Sequence, residues 1–185
     1  VETRGEARNF DSIHRRADGS LRHVELSYRA IEIRGRSYLA GIWRDIDDKR
    51  RAAEQLLKLS LAVEQSPVSV IITNTGGMIE YVNRAFVERS GYPVEEVVGK
   101  QAGFLRSGQT PESTYQALWA ALKAGEAWEG EFINRRRDGG LMVEFSRICP
   151  IVQPDGRVSH YLSVQEDITE RKQVDAELAR YRDQL

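Results

Sequence analysis

The stretch AWEGEFINRRRDGG, residues 127–140, decides how this chain is read. Trp128, Gly130, Phe132 and Asn134 stand at every second place, and in a strand such residues share one face. Asp138-Gly139 then turns the chain back. The face carrying Trp128 and Phe132 belongs in a core, so Asn134 on that face needs a partner, because an unpaired buried amide is costly. The next run, 141–152, puts Met142, Glu144, Ser146 and Ile148 on one face. The run 158–167, entered by the turn Pro154-Asp155-Gly156, does the same for Tyr161, Ser163 and Gln165. Strands joined by such turns make an antiparallel meander.

The start of the chain repeats this pattern. IHRRADGS (13–20) echoes INRRRDGG (133–140), HVELSYRAI (23–31) echoes MVEFSRICPI (142–151), and YLAGIWRDIDDKRRAAEQL (38–56) echoes YLSVQEDITERKQVDAEL (161–178). One unit therefore occurs twice, at a period of about 120 residues. The second copy is whole and the first holds only its last third. Three meander strands alone expose an open edge and half a core, so the first copy needs completion by further chain or by another molecule.

Ahead of the second meander, VSVIITNTGGMIEYVNRAF (68–86) reads as a hairpin with a Gly76-Gly77 turn, and Asn83 is placed to cap a following helical turn. SGYPVEEVVGK (90–100) reads as a short helical turn. Over 111–124 a longer helix is predicted, with Thr110 as N-cap, Pro111 at its first position and Gly125 closing it. Tyr115, Leu118, Trp119 and Leu122 form its apolar stripe. Two more helices flank the unit. Ala52, Leu56, Leu59 and Val63 in one, and Val174, Leu178, Tyr181 and Leu185 in the other, follow the a/d spacing of a coiled-coil seam; an amphipathic helix lying on its own domain gives the same pattern.

The chain is 41% apolar and 30% charged, with a net charge of -1. These values fit a globular domain and provide no global field favouring nucleic acid or an anionic membrane surface. No apolar run approaches a membrane span and no signal peptide is read, so a cytoplasmic location is expected. Val1 opens mid-pattern without Met, as in a fragment. With Cys149 as the single cysteine, an internal disulfide framework is excluded.

The ordered set SPVSVIITN, IEYVNRAFVERSGYPVEEVVGK, LRSG, WEGEF, NRRRDG and YLSVQEDITERK resembles a PAS domain with its C-terminal PAC part, over roughly residues 57–170. The run Thr110-Pro111, Tyr115–Trp119, Trp128, Gly130, Asn134–Arg136 and Asp138 resembles the flavin-binding PAS domains of nitrogenase regulators, and those of methane-oxidation sensors are similar in kind. The resemblance implies an α+β PAS fold: a five-stranded antiparallel sheet with helices on one face, plus flanking linker helices. It divides the chain into 1–47, the end of a first PAS domain; 48–65, a linker helix; 66–169, a complete PAS domain; and 170–185, the start of a signalling helix.

The resemblance further implies FAD as cofactor, held by Ile71, Phe104, Leu105, Trp119, Trp128, Asn134, Glu144, Ser146 and Gln165. In flavin-binding PAS and LOV domains an Asn on the first meander strand and a Gln on the last hold the ring; these match Asn134 and Gln165. A second LOV Asn falls on Glu144, a departure from the pattern. LOV photosensors also need a Cys where this chain has Ala102, so the resemblance points to redox sensing rather than an adduct photocycle. The expected role is a non-enzymatic input module for an output domain such as a histidine kinase, dimeric through its PAS and linker helices, with neither nucleic acid nor membrane as partner. A cofactor-free PAS interaction module is the alternative. Haem would need an axial His, and the helix over 111–124 has none. No His, Cys or carboxylate cluster has metal-ligand spacing, and no catalytic triad is read. Arg135-Arg136-Arg137 and Arg15-Arg16 are either solvated hairpin tips or contacts for a diphosphate. Asp167-Ile168-Thr169, echoed by Asp45-Ile46-Asp47, joins the last strand to a helix.

Overall fold

The computed structural model describes residues 6–182. Its strands are β1 (Glu6–Arg15), β2 (Leu21–Ile33), β3 (Arg36–Asp45), β4 (Ser69–Asn74), β5 (Ile79–Val82), β6 (Trp128–Arg135), β7 (Leu141–Val152) and β8 (Val158–Asp167). Its helices are α1 (Asp47–Glu64), α2 (Arg84–Ser90), α3 (Val94–Val97), α4 (Glu112–Lys123) and α5 (Thr169–Arg182), with a 3-10 turn at Ala102–Leu105. The chain divides into two compact units, Val1–Ser60 and Leu61–Leu185.

In the first unit, β1, β2 and β3 form a three-stranded antiparallel sheet in chain order. In the second, five antiparallel strands run in the order β5-β4-β8-β7-β6. Its register puts the residues read from the period-two pattern on one face. Gly130 pairs with Ser146, Ser146 with Gln165, and Gln165 with Ser69; one step along, Phe132 pairs with Glu144 and Glu144 with Asp167. The helices cover this face. Phe86 of α2 packs with Ile71, Ile79, Val97, Leu105 and Met142, while Tyr115, Leu118 and Leu122 of α4 pack on Phe132 and Ile148. Each such fully buried side chain contributes about 1.5–3 kcal/mol.

The internal repeat extends to single hydrogen bonds. Ile46 N donates to His23 O, as Ile168 N donates to Val143 O. Asp47 N donates to Asp45 Oδ1 at 3.0 Å, as Thr169 N donates to Asp167 Oδ1 at 2.9 Å. The Asp47 carboxylate accepts from His23 N, as the Thr169 hydroxyl oxygen accepts from Val143 N. In both copies the step after the last strand ties the new helix to the middle strand.

Two helix starts show what the sequence could and could not give. Asn83 caps α2 as expected, accepting from Phe86 N. Thr110 does not cap α4: its hydroxyl accepts from Ile133 N at 2.8 Å, so it fastens the loop to β6, and Pro111 takes the cap position without a side-chain bond. The far end of α4 closes at Gly125 as read. With φ 77°, Gly125 donates to Leu122 O and Glu126 donates to Ala121 O, the paired bonds of a left-handed glycine stop. In α1, Leu56, Leu59 and Val63 are exposed, as are Val174, Leu178 and Tyr181 in α5. Leu185, the last position of the second stripe, lies outside the described residues. Among the described residues no helix is long and apolar enough to cross a membrane.

Candidate functional site

Between the sheet of the second unit and the helices on it lies a cavity of about 550 Å³, within the range of small-molecule sites. Its walls are apolar for the most part: Ile71, Leu105, Leu118, Phe132 and Ile148 come from both sides. Of the residues singled out by sequence, Ile71, Phe104, Leu105, Trp119, Asn134 and Gln165 line it. Ala102 also stands on the wall, whereas Cys149 of β7 is directed to Leu162 O and does not line it.

Trp128, Glu144 and Ser146 are not on the wall. Trp128 lies against Phe132, ring centroids 5.0 Å apart, and Gly130 makes room for it: a Cβ there would stand 2.3 Å from Trp128 Cζ2. Ser146 is wholly buried and its hydroxyl has no partner. Glu144 is buried on the same sheet face and answers part of the Asn134 question: Asn134 Nδ2 donates to Glu144 Oε2 at 2.7 Å. The two residues are diagonal neighbours across β6 and β7.

Among the described residues, four buried side-chain atoms lack a hydrogen-bond partner: the hydroxyls of Ser69, Ser146 and Ser163, and Gln165 Oε1. They cluster on neighbouring rungs, since Ser69 and Ser146 flank Gln165 across β4 and β7. Ser163 and Gln165 both line the cavity. Buried polar atoms are rarely left unpaired, so unmet hydrogen-bonding capacity beside an apolar cavity matches a ligand that brings polar groups of its own.

Burial pushes the Glu144 carboxyl above the ordinary carboxylate range; the Asn134 bond opposes the rise, the Asp167 charge adds to it, and Arg136 and Arg89 pull back. For Asp167 burial also acts upward, but the Thr169 hydroxyl and amide together with Arg136 win and hold it below that range. The basic run is not merely a solvated tip. Arg136 reaches back to Asp167 at 2.6 Å and to the Arg89 carbonyl, and Arg137 pairs with Glu96. His160 pairs with Glu80, away from the cavity wall. Among the described residues no His, Cys, Asp and Glu group could hold a metal ion.

The wall also includes residues that the sequence did not single out as a site. Tyr115 stacks on Phe132 at 5.5 Å and carries the Arg106 guanidinium 3.5 Å above its ring. Tyr161 meets Trp119 edge-on at 6.2 Å. Tyr115 was legible as part of the α4 stripe; Arg106 had no signal, because only the fold brings it over that ring.

The PAS domain profile matches residues 1–48 and 67–170. The chain belongs to the PAS domain family. Both matched segments fall on the two copies of the repeat. Over 107 residues, 58% of this chain and 22% of the relative, it is 38% identical to a nitrogen fixation regulatory protein of Klebsiella oxytoca. It is 33% identical over 143 residues to a bacterioopsin transcriptional activator of Halobacterium salinarum, covering 76% of this chain and 20% of that one. It is 30% identical over 138 residues to a blue-light-activated histidine kinase of Brucella canis, covering 67% and 28%. This PAS chain thus spans less than a third of each of these relatives. Among solved structures, the LOV domain of a blue-light-activated histidine kinase from Erythrobacter litoralis superposes with a TM-score of 0.54 at 27% identity, over 57% of this chain and 99% of that one. An RNA-binding light-oxygen-voltage receptor shares the fold over 95% of this chain and 80% of its own, with a TM-score of 0.61 at 16% identity.

Proposed function

We propose that the second unit is a sensory PAS domain that holds FAD in its cavity, reports the redox state of that ligand, and passes the state through α5 to an output domain such as a histidine kinase. The observation that carries this reading is Gln165: it lines an apolar cavity that also displays Asn134, and its buried Oε1 is unpartnered. Amide side chains, which both donate and accept, fit a flavin ring, whose pyrimidine edge carries both carbonyls and N–H. Asn134 and Gln165 would hold that edge, Trp119 and Phe104 would cover the ring, and Trp128, Glu144 and Ser146 would support the wall.

A flavin supplies ring nitrogens that carry N–H when reduced and lose it when oxidised. The chain's own residues do the rest. Ile71, Leu105 and Phe132 exclude water, which strengthens each polar contact in the cavity. Gln165 shares a strand face with Asp167, two residues on, and Asp167 fixes the first turn of α5 through Thr169. A changed contact at Gln165 therefore acts on the strand whose end holds the helix. Ala102 at the adduct position favours redox over light as the signal. The relatives, a nitrogen fixation regulator and a blue-light-activated histidine kinase, are regulators of the corresponding kind.

The test is the visible absorption spectrum of the purified protein, in air and after dithionite. Flavin-type bands that bleach on reduction and return with air support the reading. A Soret band replaces it with haem. A colourless protein that FAD cannot reconstitute overturns it and leaves a PAS interaction module.

A further inference from the structure

The Asn134 amide is engaged by a neighbour on its own face of the sheet. Glu144, 1% exposed, accepts from Asn134 Nδ2 at 2.7 Å. A carboxylate has no proton to give, so the side of the amide that meets it must be an N–H. Glu144 thereby removes the freedom of Asn134 to turn over. Gln165 lines the same cavity, and its buried Oε1 has no donor.

We propose that Glu144 is the positioning residue that sets ligand specificity: by taking the N–H side of Asn134 it leaves the Asn134 carbonyl as the group that meets a ligand, so that the cavity selects a ring system whose edge donates an N–H there. This rests on the flavin reading and deepens it. Reduction adds ring N–H to a flavin, so the reduced form is held more tightly than the oxidised form. Glu144 acts only through Asn134 and stands off the wall.

The groups around Glu144 make the arrangement sensitive to pH. Asp167 faces it from β8, Arg136 from the end of β6 and Arg89 from α2. A protonated Glu144 becomes a donor, its O–H meets Asn134 Oδ1, and the amide turns its N–H to the cavity. Preference for the reduced ligand then weakens as pH falls.

The experiment uses the whole purified chain as wild type, Glu144→Leu and Glu144→Gln, titrated with oxidised FAD in air and reduced FAD under anaerobic conditions. Wild type is expected to hold the reduced form at least about tenfold tighter, which raises the potential about 30 mV above free FAD at the same pH. Glu144→Leu brings the ratio near one. Glu144→Gln keeps an acceptor for Asn134 but takes up no proton, so it keeps the ratio and loses its added pH dependence. A second readout needs no ligand: the nitrogen-15 side-chain amide resonance of Asn134 follows pH in wild type and is flat in Glu144→Gln. Circular dichroism checks that each variant folds. Equal ratios in wild type and Glu144→Leu, or an Asn134 resonance indifferent to Glu144, overturn the proposal. A wild type that binds FAD in neither state overturns the flavin reading and the ligand class with it, while the amide resonance still decides whether Glu144 holds Asn134.

Discussion

Glu144 on β7 stands directly opposite Asp167 on β8, and the two carboxylates are held by different partners. Glu144 takes an amide N–H from Asn134, while Asp167 takes Arg136 and the first turn of α5. Like charges opposed across a ladder repel. The pair therefore links the cavity wall to the start of the outgoing helix.

Asp167→Ala removes the acceptor for Thr169 N and the partner of Arg136. Losing such a helix-start bond costs about 1–2 kcal/mol. Urea denaturation is expected to show that loss, with exchange protection lowered first in α5. Asp167→Asn, which keeps an acceptor oxygen, should lose less. Equal losses in both variants would place the stabilisation in the Arg136 ion pair instead.

The two acids also give stability opposite dependences on pH. Glu144 has a raised folded value, so its ionisation costs the folded state at neutral pH; that cost declines as pH falls through the folded value and is gone below the unfolded one. Asp167 has a depressed folded value, so its contribution is complete above the unfolded value and is lost as pH falls through the folded one. Glu144→Gln should therefore be more stable than wild type at neutral pH, the gap closing as pH falls into the ordinary carboxylate range. Asp167→Asn should show a shallower acid loss than wild type. Denaturation midpoints across that range decide, and parallel curves for wild type and Glu144→Gln would contradict the account.

Asn83 is wholly buried and uses all of its side chain. Its Oδ1 accepts from Val70 N and Phe86 N, and its Nδ2 donates to Val63 O and Val68 O. Asn83→Ala leaves four backbone groups to find other partners, and a loss of about 3–5 kcal/mol is expected. Asn83→Asp keeps both accepted bonds but sets a buried carboxylate oxygen against the Val63 and Val68 carbonyls, so it should lose at least as much as Asn83→Ala at neutral pH. A wild-type midpoint for Asn83→Ala would show that water replaces the side chain without cost.

How far the sequence reached is clearest at these residues. Period-two spacing placed Trp128, Phe132, Asn134, Glu144, Ser146, Ser163 and Gln165 on one face, because alternation is a local property of a strand. The cap at Asn83 was local too. The Asn134–Glu144 bond was not: it depends on the register of β6 against β7, and a diagonal contact has no spacing in the sequence. Thr110 was misread as a cap for the same reason, since its partner Ile133 lies on another element. The unpartnered Ser69 hydroxyl carried no signal at all, because an alternating Ser among apolar residues looks the same whether it faces a cavity or a partner.

Gly130→Ala tests the packing behind the wall. The Trp128 ring crosses over Gly130, where an added Cβ would stand 2.3 Å from Cζ2 and 2.5 Å from Cη2. The methyl must drive Trp128 off its place against Phe132, and Phe132 in turn stacks on Tyr115 at the cavity. Overpacking of this kind costs about 1–3 kcal/mol. The variant should lose that stability, change its near-ultraviolet circular dichroism through the displaced Trp128, and bind the cavity ligand more weakly. Because the clash is with the ring's far edge, the double variant Trp128→Phe with Gly130→Ala should regain much of the loss. A double variant no more stable than Gly130→Ala alone would mean that the strand backbone, and not the Trp128 ring, requires glycine there.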